Sequence, residues 1–253
     1  MQEKQKTYHL MILDKSSSMS SVRDATISGL NEQLDSIRKA AEDFDDQEQI
    51  VCFVTFASNV DTTQIWNSSI DDIENFTRET YTPDGMTALY DAIGMGVNKL
   101  RDQISEELSQ RKANVVVTIF TDGEENSSRE FRNASEVREL VNGIQDTGQW
   151  TVAFVGCGGE EVFTVAQSMG ISRGNTMSYD AGVEGTATAF ASMSDARYAR
   201  TMMYSQSISK GIDTNVVNKA EDFFANIDLD TDIQIPETDG PDSAINIFEK
   251  DEK

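Results

Sequence analysis

The sequence is poor in the residues that most metal and covalent chemistry uses. Of its 253 residues, one is histidine, two are cysteine and three are proline. A single histidine excludes zinc sites built from several histidines and disfavours a Ser/His/Asp catalytic triad. Cys52 and Cys157 lie within apolar runs and are expected to be free thiols in a reducing compartment. Any metal chemistry in this chain would therefore depend on oxygen ligands.

Basic residues are also scarce, with 21 Lys and Arg against 44 Asp and Glu and a formal net charge of -23. Nucleic-acid binding depends on Lys and Arg that displace counterions from phosphates, so we expect no nucleic-acid partner and no anionic membrane partner. Apolar residues never run together over the roughly 18 positions of a membrane helix, and the polar N-terminal segment does not resemble a signal peptide. We expect a cytoplasmic protein, with association with a virion as the alternative if it is phage-encoded.

What the sequence does contain is an alternation of apolar runs and helical periods. Runs rich in Val, Ile and Phe predict strands at 8–14, 49–57, 115–122 and 149–156. Their near-continuous apolar character indicates strands that are covered on both faces. Residues 61–67 alternate and are more polar, which predicts an antiparallel edge strand, and a weaker sixth strand is expected at 176–179.

Helical stripes occupy the stretches between these strands. Apolar residues recur at helical spacing from Val22 to Ile37 and from Leu89 to Leu108. Further helices are expected at about 130–146, 160–169 and 185–209. The pattern predicts a Rossmann-like, doubly wound α/β fold, in which a mostly parallel six-stranded sheet has one antiparallel edge strand and helices on both faces.

The C-terminal part is disproportionately acidic, since residues 212–253 carry 12 acidic and 3 basic residues. We therefore predict a domain over 1–211 and an acidic extension over 212–253 that is partly ordered or flexible. A short helix near Val216 and a strand over 227–235 are expected within the extension. The extension could simply add solubility. Alternatively, its aspartates between 228 and 242 could reach a metal site in the same or another copy, which would allow self-association.

Polar loops follow the predicted strands, and in open parallel sheets binding sites form beyond the carboxyl ends of strands. The first strand leads into a D-x-S-x-S segment, a second loop, PDGMTAL, leads into a helix, and a third loop follows the 115–122 strand, which ends in FTDG. If these loops converge, their oxygen atoms form a shell suited to Mg²⁺, Mn²⁺ or Ca²⁺. The contributing residues would be Asp14, Ser16, Ser18, Thr87 and Asp122. Neutral hydroxyls would leave the cation short of negative charge, which a partner's carboxylate can supply.

These residues resemble the metal-ion-dependent adhesion site of von Willebrand factor A domains. The motif positions Asp14, Ser16, Ser18, Thr87 and Asp122 occur in the family's chain order, and the resemblance covers roughly residues 7–205. The longer segments SVRDATISGLN and TDGEENSSREF are similar to a bacterial and phage branch of small, free-standing A-domain proteins.

The resemblance implies a bound Mg²⁺, with Mn²⁺ or Ca²⁺ as alternatives. It implies that Ser16, Ser18 and Thr87 bind the ion directly, that Asp14 and Asp122 act mostly through water, and that a partner's Asp or Glu completes the shell. Neighbouring residues are expected to support this shell or to contact the ligand: Lys15, Ser17, Asp84, Gly85, Gly123 and Glu124. The family usually has glycine where this chain has Ser17.

The sequence therefore favours a non-enzymatic, metal-dependent protein-interaction module that binds an acidic side chain of a partner. One alternative is an enzyme on a related fold, with Asp14 as the nucleophile of metal-dependent phosphoryl transfer or hydrolysis. Another is a structural component of an assembly such as a phage virion or a multiprotein complex.

Overall fold

The computed structural model describes residues 4–225 and contains one six-stranded sheet. The strands are β1 (Gln5–Asp14), β2 (Gln47–Phe56), β3 (Val60–Ser69), β4 (Ala113–Thr121), β5 (Trp150–Cys157) and β6 (Thr176–Tyr179). They lie in the order β3-β2-β1-β4-β5-β6, and β3 alone runs antiparallel to its neighbour. The predicted sheet and its antiparallel edge strand are confirmed. The predicted strand over 227–235 and the aspartates between 228 and 242 lie outside the described residues.

Helices cover both faces of the sheet, as predicted. They are α1 (Arg23–Asp43), α2 (Leu89–Gln103), α3 (Ser105–Ser109), α4 (Ala134–Asp146), α5 (Glu161–Ser168), α6 (Val183–Lys210) and α7 (Asn215–Lys219). Successive strand residues point to opposite faces. Leu10 of β1 accordingly joins the core formed with α2, α4 and α5, whereas Met11 joins the core formed with α1 and α6. Within residues 4–225, no helix is both long and apolar enough to cross a membrane.

Two helices differ from their predicted extents for identifiable reasons. The apolar stripe from Leu89 to Leu108 is interrupted at Ile104, where the backbone leaves helical geometry although the side chain is buried. The helix expected from about 130 begins at Ala134, because the side chain of Asn133 caps it by accepting a hydrogen bond from the Glu136 amide.

Residues 212–225 of the predicted extension pack against the α/β domain. Val217 and Phe223 are fully buried and share a core cluster with Ala153 and Tyr204. The Asn218 side chain accepts hydrogen bonds from the hydroxyls of Thr151 and Tyr204, at 3.0 and 2.6 Å. This part of the extension therefore closes the core beside β4 and β5.

Candidate metal-binding site

The candidate site lies at the carboxyl ends of β1 and β4. From β1 the chain builds β2 and β3 on one side of the sheet and then β4, β5 and β6 on the other. Such a reversal of strand order opens a crevice at the strand ends. Because Leu13 of β1 pairs with Phe120 of β4, Asp14 and Thr121 end their strands side by side.

Asp14 is fully buried and held by three hydrogen bonds. Its Oδ1 accepts from the Ser16 amide at 2.7 Å, and its Oδ2 accepts from Thr121 Oγ1 at 2.6 Å. Its backbone carbonyl accepts from the Tyr81 hydroxyl at 2.7 Å. Burial raises the pKa of the Asp14 carboxyl, and hydrogen bonds from Thr121 and Ser16 oppose this shift. The carboxylate is thereby fixed in one orientation behind the loop of Ser16, Ser17 and Ser18, which we call the serine loop.

The serine hydroxyls form a chain that leads to the second aspartate. Ser16 Oγ and Ser18 Oγ are 3.0 Å apart, and Ser18 Oγ donates to Asp122 Oδ1 at 2.7 Å. Ser16 is buried, whereas Ser18 is exposed, so the chain of oxygens runs from the interior to the surface. Burial also raises the pKa of the Asp122 carboxyl.

Gly123 shows that the separate loops meet at one point. A Cβ atom at Gly123 would lie 3.4 Å from Thr87 Oγ1 and 3.9 Å from both Asp14 Oδ2 and Ser18 Oγ. The structure therefore brings together all of the predicted ligands, Asp14, Ser16, Ser18, Thr87 and Asp122. The missing side chain of Gly123 leaves space beside their oxygens.

The second loop is attached to the first through the backbone. The Asp84 amide donates to the Lys15 carbonyl at 2.8 Å, and the Ser17 amide donates to the Gly85 carbonyl at 3.1 Å. Gly85 has a φ of +83°, and a Cβ there would lie 2.7 Å from Ser58 Oγ, so this position requires glycine. These neighbours thus hold the loops together by main-chain contacts.

A reciprocal pair of hydrogen bonds attaches the third loop to Thr87. The Thr87 amide donates to Asn126 Oδ1 at 2.9 Å, and the Asn126 amide donates to the Thr87 carbonyl at 3.0 Å. Glu125 accepts from the Tyr90 amide, and the buried Asp91 accepts from the amides of residues 129–131. Both carboxylates are therefore structural: they fasten this loop to the first turn of α2.

The charged neighbours Lys15 and Glu124 lie on different sides of the site. Lys15 lines a cleft with Asp61 and Asp84. Hydrogen bonds from Thr63, with a smaller effect from the Lys15 charge, lower the pKa of Asp61. Glu124 is exposed and lines a separate cleft beside Asp122. Lys15 is therefore directed away from the side of the site that carries Glu124.

Thr121 and Tyr81 are structural members of the site that the sequence interpretation missed. Both are buried, and the hydroxyl of each donates a hydrogen bond to an oxygen of Asp14. Thr121 is adjacent to Asp122 in FTDG, and strand alternation turns its side chain away from that of Asp122. That alternation was the available signal for Thr121, whereas no sequence signal marks Tyr81.

The donor set fits a hard divalent ion. Within residues 4–225, no group of three or more His, Cys, Asp or Glu side chains could hold a metal, so hydroxyl oxygens are essential to this site. Neighbouring ligands of an octahedral ion at 2.0–2.1 Å are separated by about 2.9 Å. The Ser16 and Ser18 hydroxyl oxygens hydrogen-bond to each other at 3.0 Å, which is close enough for both to contact one ion.

Solved structures with a similar fold come from several sources. Proximal thread matrix protein 1 from the mussel byssus is 15% identical, with a TM-score of 0.50 over 77% of this chain and 46% of that chain. The ArnB paralog VWA2 from Sulfolobus acidocaldarius is also 15% identical, with a TM-score of 0.50 over 76% of this chain and 45% of that chain. The present chain spans less than half of either structure. One form of the mussel protein has a zinc-occupied adhesion motif.

Sequence comparison identifies the family directly. No curated protein matches the chain significantly. The family model of the von Willebrand factor type A domain matches residues 10–196, which include the end of β1, all of β2 to β6, α1 to α5, the first half of α6 and the loops of the candidate site. At their low identity the solved structures show a shared fold. The chain belongs to the von Willebrand factor type A domain family.

Proposed function

We propose that this chain is a metal-dependent protein-interaction domain that binds the carboxylate of a partner's Asp or Glu through a divalent ion. Domains of this family commonly mediate such interactions. The observation that carries the proposal is the convergence of hydroxyl and carboxylate oxygens from separate loops around the space beside Gly123. The small, free-standing bacterial or phage form expected from the sequence belongs to the same proposal.

The charge of the donor set explains why the partner would be acidic. A divalent ion would act as a Lewis acid and accept an anionic oxygen, because Asp14 and Asp122 would act mostly through water and leave its directly bound shell short of negative charge. Ser16, Ser18 and Thr87 add neutral oxygens. Asp14 is buried and Ser18 is exposed, so the open coordination position faces solvent at the end of the serine loop.

The size of the ligand set favours Mg²⁺ as the bound ion. Mg²⁺ takes six oxygen ligands in an octahedron and usually keeps several waters, whereas Ca²⁺ takes six to eight oxygens. The hydroxyls of Ser16, Ser18 and Thr87, with water and one partner carboxylate, would form a small set of this kind. Mg²⁺ is therefore the proposed ion, and Mn²⁺ is the nearest alternative.

The surface around the site also offers an apolar contact. Met86, directly before Thr87, is 52% exposed and is one of two large hydrophobic side chains exposed in the described chain. An exposed methionine beside a charged site is suited to pack against a partner. A partner would therefore contact both the metal ion and the second loop.

The enzyme alternative receives no support from the positions of its candidate groups. Both carboxylate oxygens of Asp14 already accept hydrogen bonds, and the residue is fully buried, so it is poorly placed to attack a substrate. His9 is buried between Gln49 and Arg197 in the middle of β1. The assembly alternative predicts interactions that survive chelation, and the cytoplasmic or virion location stays a prediction.

Titration calorimetry with Mg²⁺ and Mn²⁺ tests the proposal. Ser18→Ala and Asp122→Ala should each weaken ion affinity by about tenfold or more, as expected for loss of a coordinating or orienting group. Ser20→Ala, at an exposed serine in the same loop, is the matched control and should bind ions like the wild type. Equal ion affinity in all three variants and the wild type would contradict the proposal. A labelled Asp-containing peptide should bind with Mg²⁺ and be released by chelation.

A further inference from the structure

A cleft of about 460 Å³ opens directly beside the proposed metal site. One end is formed by Thr121, Asp122 and Gly123, and the other lies between α2, β5 and α5. A partner segment whose carboxylate reached the site would therefore have its neighbouring residues at the mouth of this cleft.

The walls of the cleft are partly apolar. Leu89 and Tyr90 come from α2, Phe154 comes from β5, and Val162 and Val165 come from α5. Tyr90 and Val165 are half-buried, so part of this apolar surface faces solvent. These walls suit an aliphatic or aromatic side chain of a bound segment.

The rim of the cleft is acidic. Glu124 and Glu161 line the cleft and are exposed. Hydrogen bonds from its own amide and from the Gly159 amide lower the pKa of Glu161, so this carboxyl is ionised at neutral pH. None of the residues that line the cleft in the described chain is basic.

Two cations of the chain, Lys15 and Arg173, have other neighbours. Lys15 lines the separate cleft that contains Asp61. Arg173 pairs with Glu160, at 3.1 Å from Nη2 to Oε2, and lies over the Phe163 ring. An occupant of the cleft would therefore meet a negative rim, which favours a basic residue over an acidic one.

We propose that the cleft selects the sequence around the partner's metal-binding residue: an apolar side chain enters the cleft, and a Lys or Arg close to it meets Glu124 and Glu161. This inference rests on the proposed function for the position of the carboxylate. It identifies the partner as a segment with one acidic residue in an apolar and basic context, as opposed to a run of acidic residues.

Two labelled peptides test the inference. Each carries one Asp and one Leu in a Gly/Ser background, and they differ only by Lys or Glu two residues beyond the Leu. With Mg²⁺ present, the Lys peptide should bind about fivefold more tightly or better than the Glu peptide, as expected for favourable against unfavourable rim contacts. Amide and methyl NMR shifts of Val162 and Val165 should change during its titration.

A matched pair of charge reversals separates the effect of the cleft carboxylates on peptide affinity from the effect of the protein's net charge. Glu124→Lys/Glu161→Lys should abolish or invert the preference for the Lys peptide. Glu32→Lys/Glu139→Lys changes the net charge equally at exposed positions of α1 and α4, and should retain the preference. Equal affinity of the two peptides for the wild type, or a preference that survives the cleft reversal, would overturn the inference.

The same titrations distinguish failure of the proposed function from failure of the inference about the cleft. Peptide binding that is unchanged by chelation would contradict metal-dependent binding, while a Lys preference lost on cleft reversal would still support the cleft. If neither peptide binds with Mg²⁺ at millimolar concentration, both the proposed function and the inference are contradicted.

Discussion

Thr121 determines how Asp14 faces the candidate site. Its hydroxyl donates to Asp14 Oδ2 at 2.6 Å, and the hydroxyl oxygen, Thr121 Oγ1, accepts from the Gly123 amide at 3.1 Å. A single buried side chain thus connects the end of β1 to the loop after β4. From sequence alone, a threonine at the end of a strand indicates β-propensity, so its role in the site emerges only from the pairing of the two strands.

Thr121→Val tests this role because valine has nearly the same shape and lacks the hydroxyl. Asp14 would lose one of its fixed hydrogen bonds, so affinity for Mg²⁺ should fall roughly tenfold or more. The free energy of unfolding should fall by about 1 kcal/mol. Calorimetry and urea unfolding measure the two effects. Thr188→Val, at an exposed position of α6, should leave ion affinity unchanged. Wild-type ion affinity in Thr121→Val would show that Asp14 needs no such support.

Ser17 shows that the serine loop does not require the glycine that the family usually has there. Among residues 4–225, positive φ angles in residues other than glycine occur only at Asn67 and Arg111. Ser17 begins a 3₁₀ turn and its side chain is exposed. The substitution is therefore accommodated without backbone strain.

At the scale of elements, a buried arginine joins α6 to the sheet. The Arg197 guanidinium contacts His9 Nδ1 of β1 at 3.0 Å, Thr118 Oγ1 of β4 at 2.7 Å and Gln33 Oε1 of α1 at 3.0 Å. Each of these three side chains offers a neutral oxygen or nitrogen. Burial lowers the pKa of Arg197 to about 9. The network fixes the position of α6 relative to the strands that carry the metal site.

His9 makes this network sensitive to pH. Burial, with the charge of Arg197, lowers the pKa of His9 from 6.5 to about 3. As pH falls below 6.5, the unfolded chain takes up a proton that the folded chain refuses, so folding stability is present above pH 6.5 and lost toward pH 3.

His9→Gln should reduce this loss, because glutamine does not titrate and its amide oxygen can accept from Arg197. Between pH 7 and pH 5 we expect the variant to lose about 2 kcal/mol less unfolding free energy than the wild type. Urea unfolding at both pH values measures the difference. Parallel losses in the two proteins would exclude His9 as the titrating group.

The sequence predicted the elements that depend on local pattern and missed details that depend on distant partners. The apolar strands and the antiparallel edge strand were predicted because their patterns are local. β2 begins at Gln47, before the predicted start. The side chain of this polar residue is buried because it accepts a hydrogen bond from the Thr7 hydroxyl and donates one to the Thr201 carbonyl. The five predicted ligands converge, whereas the bonds that Asp91 and Glu125 make across the third loop follow no local rule.

At the scale of the whole molecule, residues 212–225 complete the core. Phe223 is fully buried, and Arg200 of α6 lies near its ring while pairing with Asp222 at 3.0 Å. A chain cut at the predicted boundary of residue 211 would lose this packing and that of Val217.

Phe223→Ala should lower the free energy of unfolding by about 3–5 kcal/mol, as expected for a buried phenylalanine. Lys219→Ala, at an exposed position of α7, is the control and should have little effect. Thermal and urea unfolding measure both changes. A change below about 1 kcal/mol in Phe223→Ala would show that this segment contributes little to stability.

The net charge of -23 should govern how fast partners associate. Raising the ionic strength from 0.01 to 0.15 M shortens the screening length from about 30 to about 8 Å. Association of the Glu peptide, which carries two negative charges, should therefore become faster, because long-range repulsion is screened, and association of the Lys peptide, in which Asp and Lys cancel, should change little. Stopped-flow rates at constant Mg²⁺ measure both. The same response to salt in both peptides would show that the charge of the whole molecule does not control the encounter.

The direction of β1 also has a practical consequence. Its ten residues run from Gln5 to Asp14, a span of about 30 Å at the usual strand rise, and Asp14 lies at the far end. A support attached ahead of Gln5 would therefore lie at the opposite end of the strands from the metal site and leave that site directed outward. Immobilisation through this end gives sensor surfaces on which every copy presents its binding face to the solution.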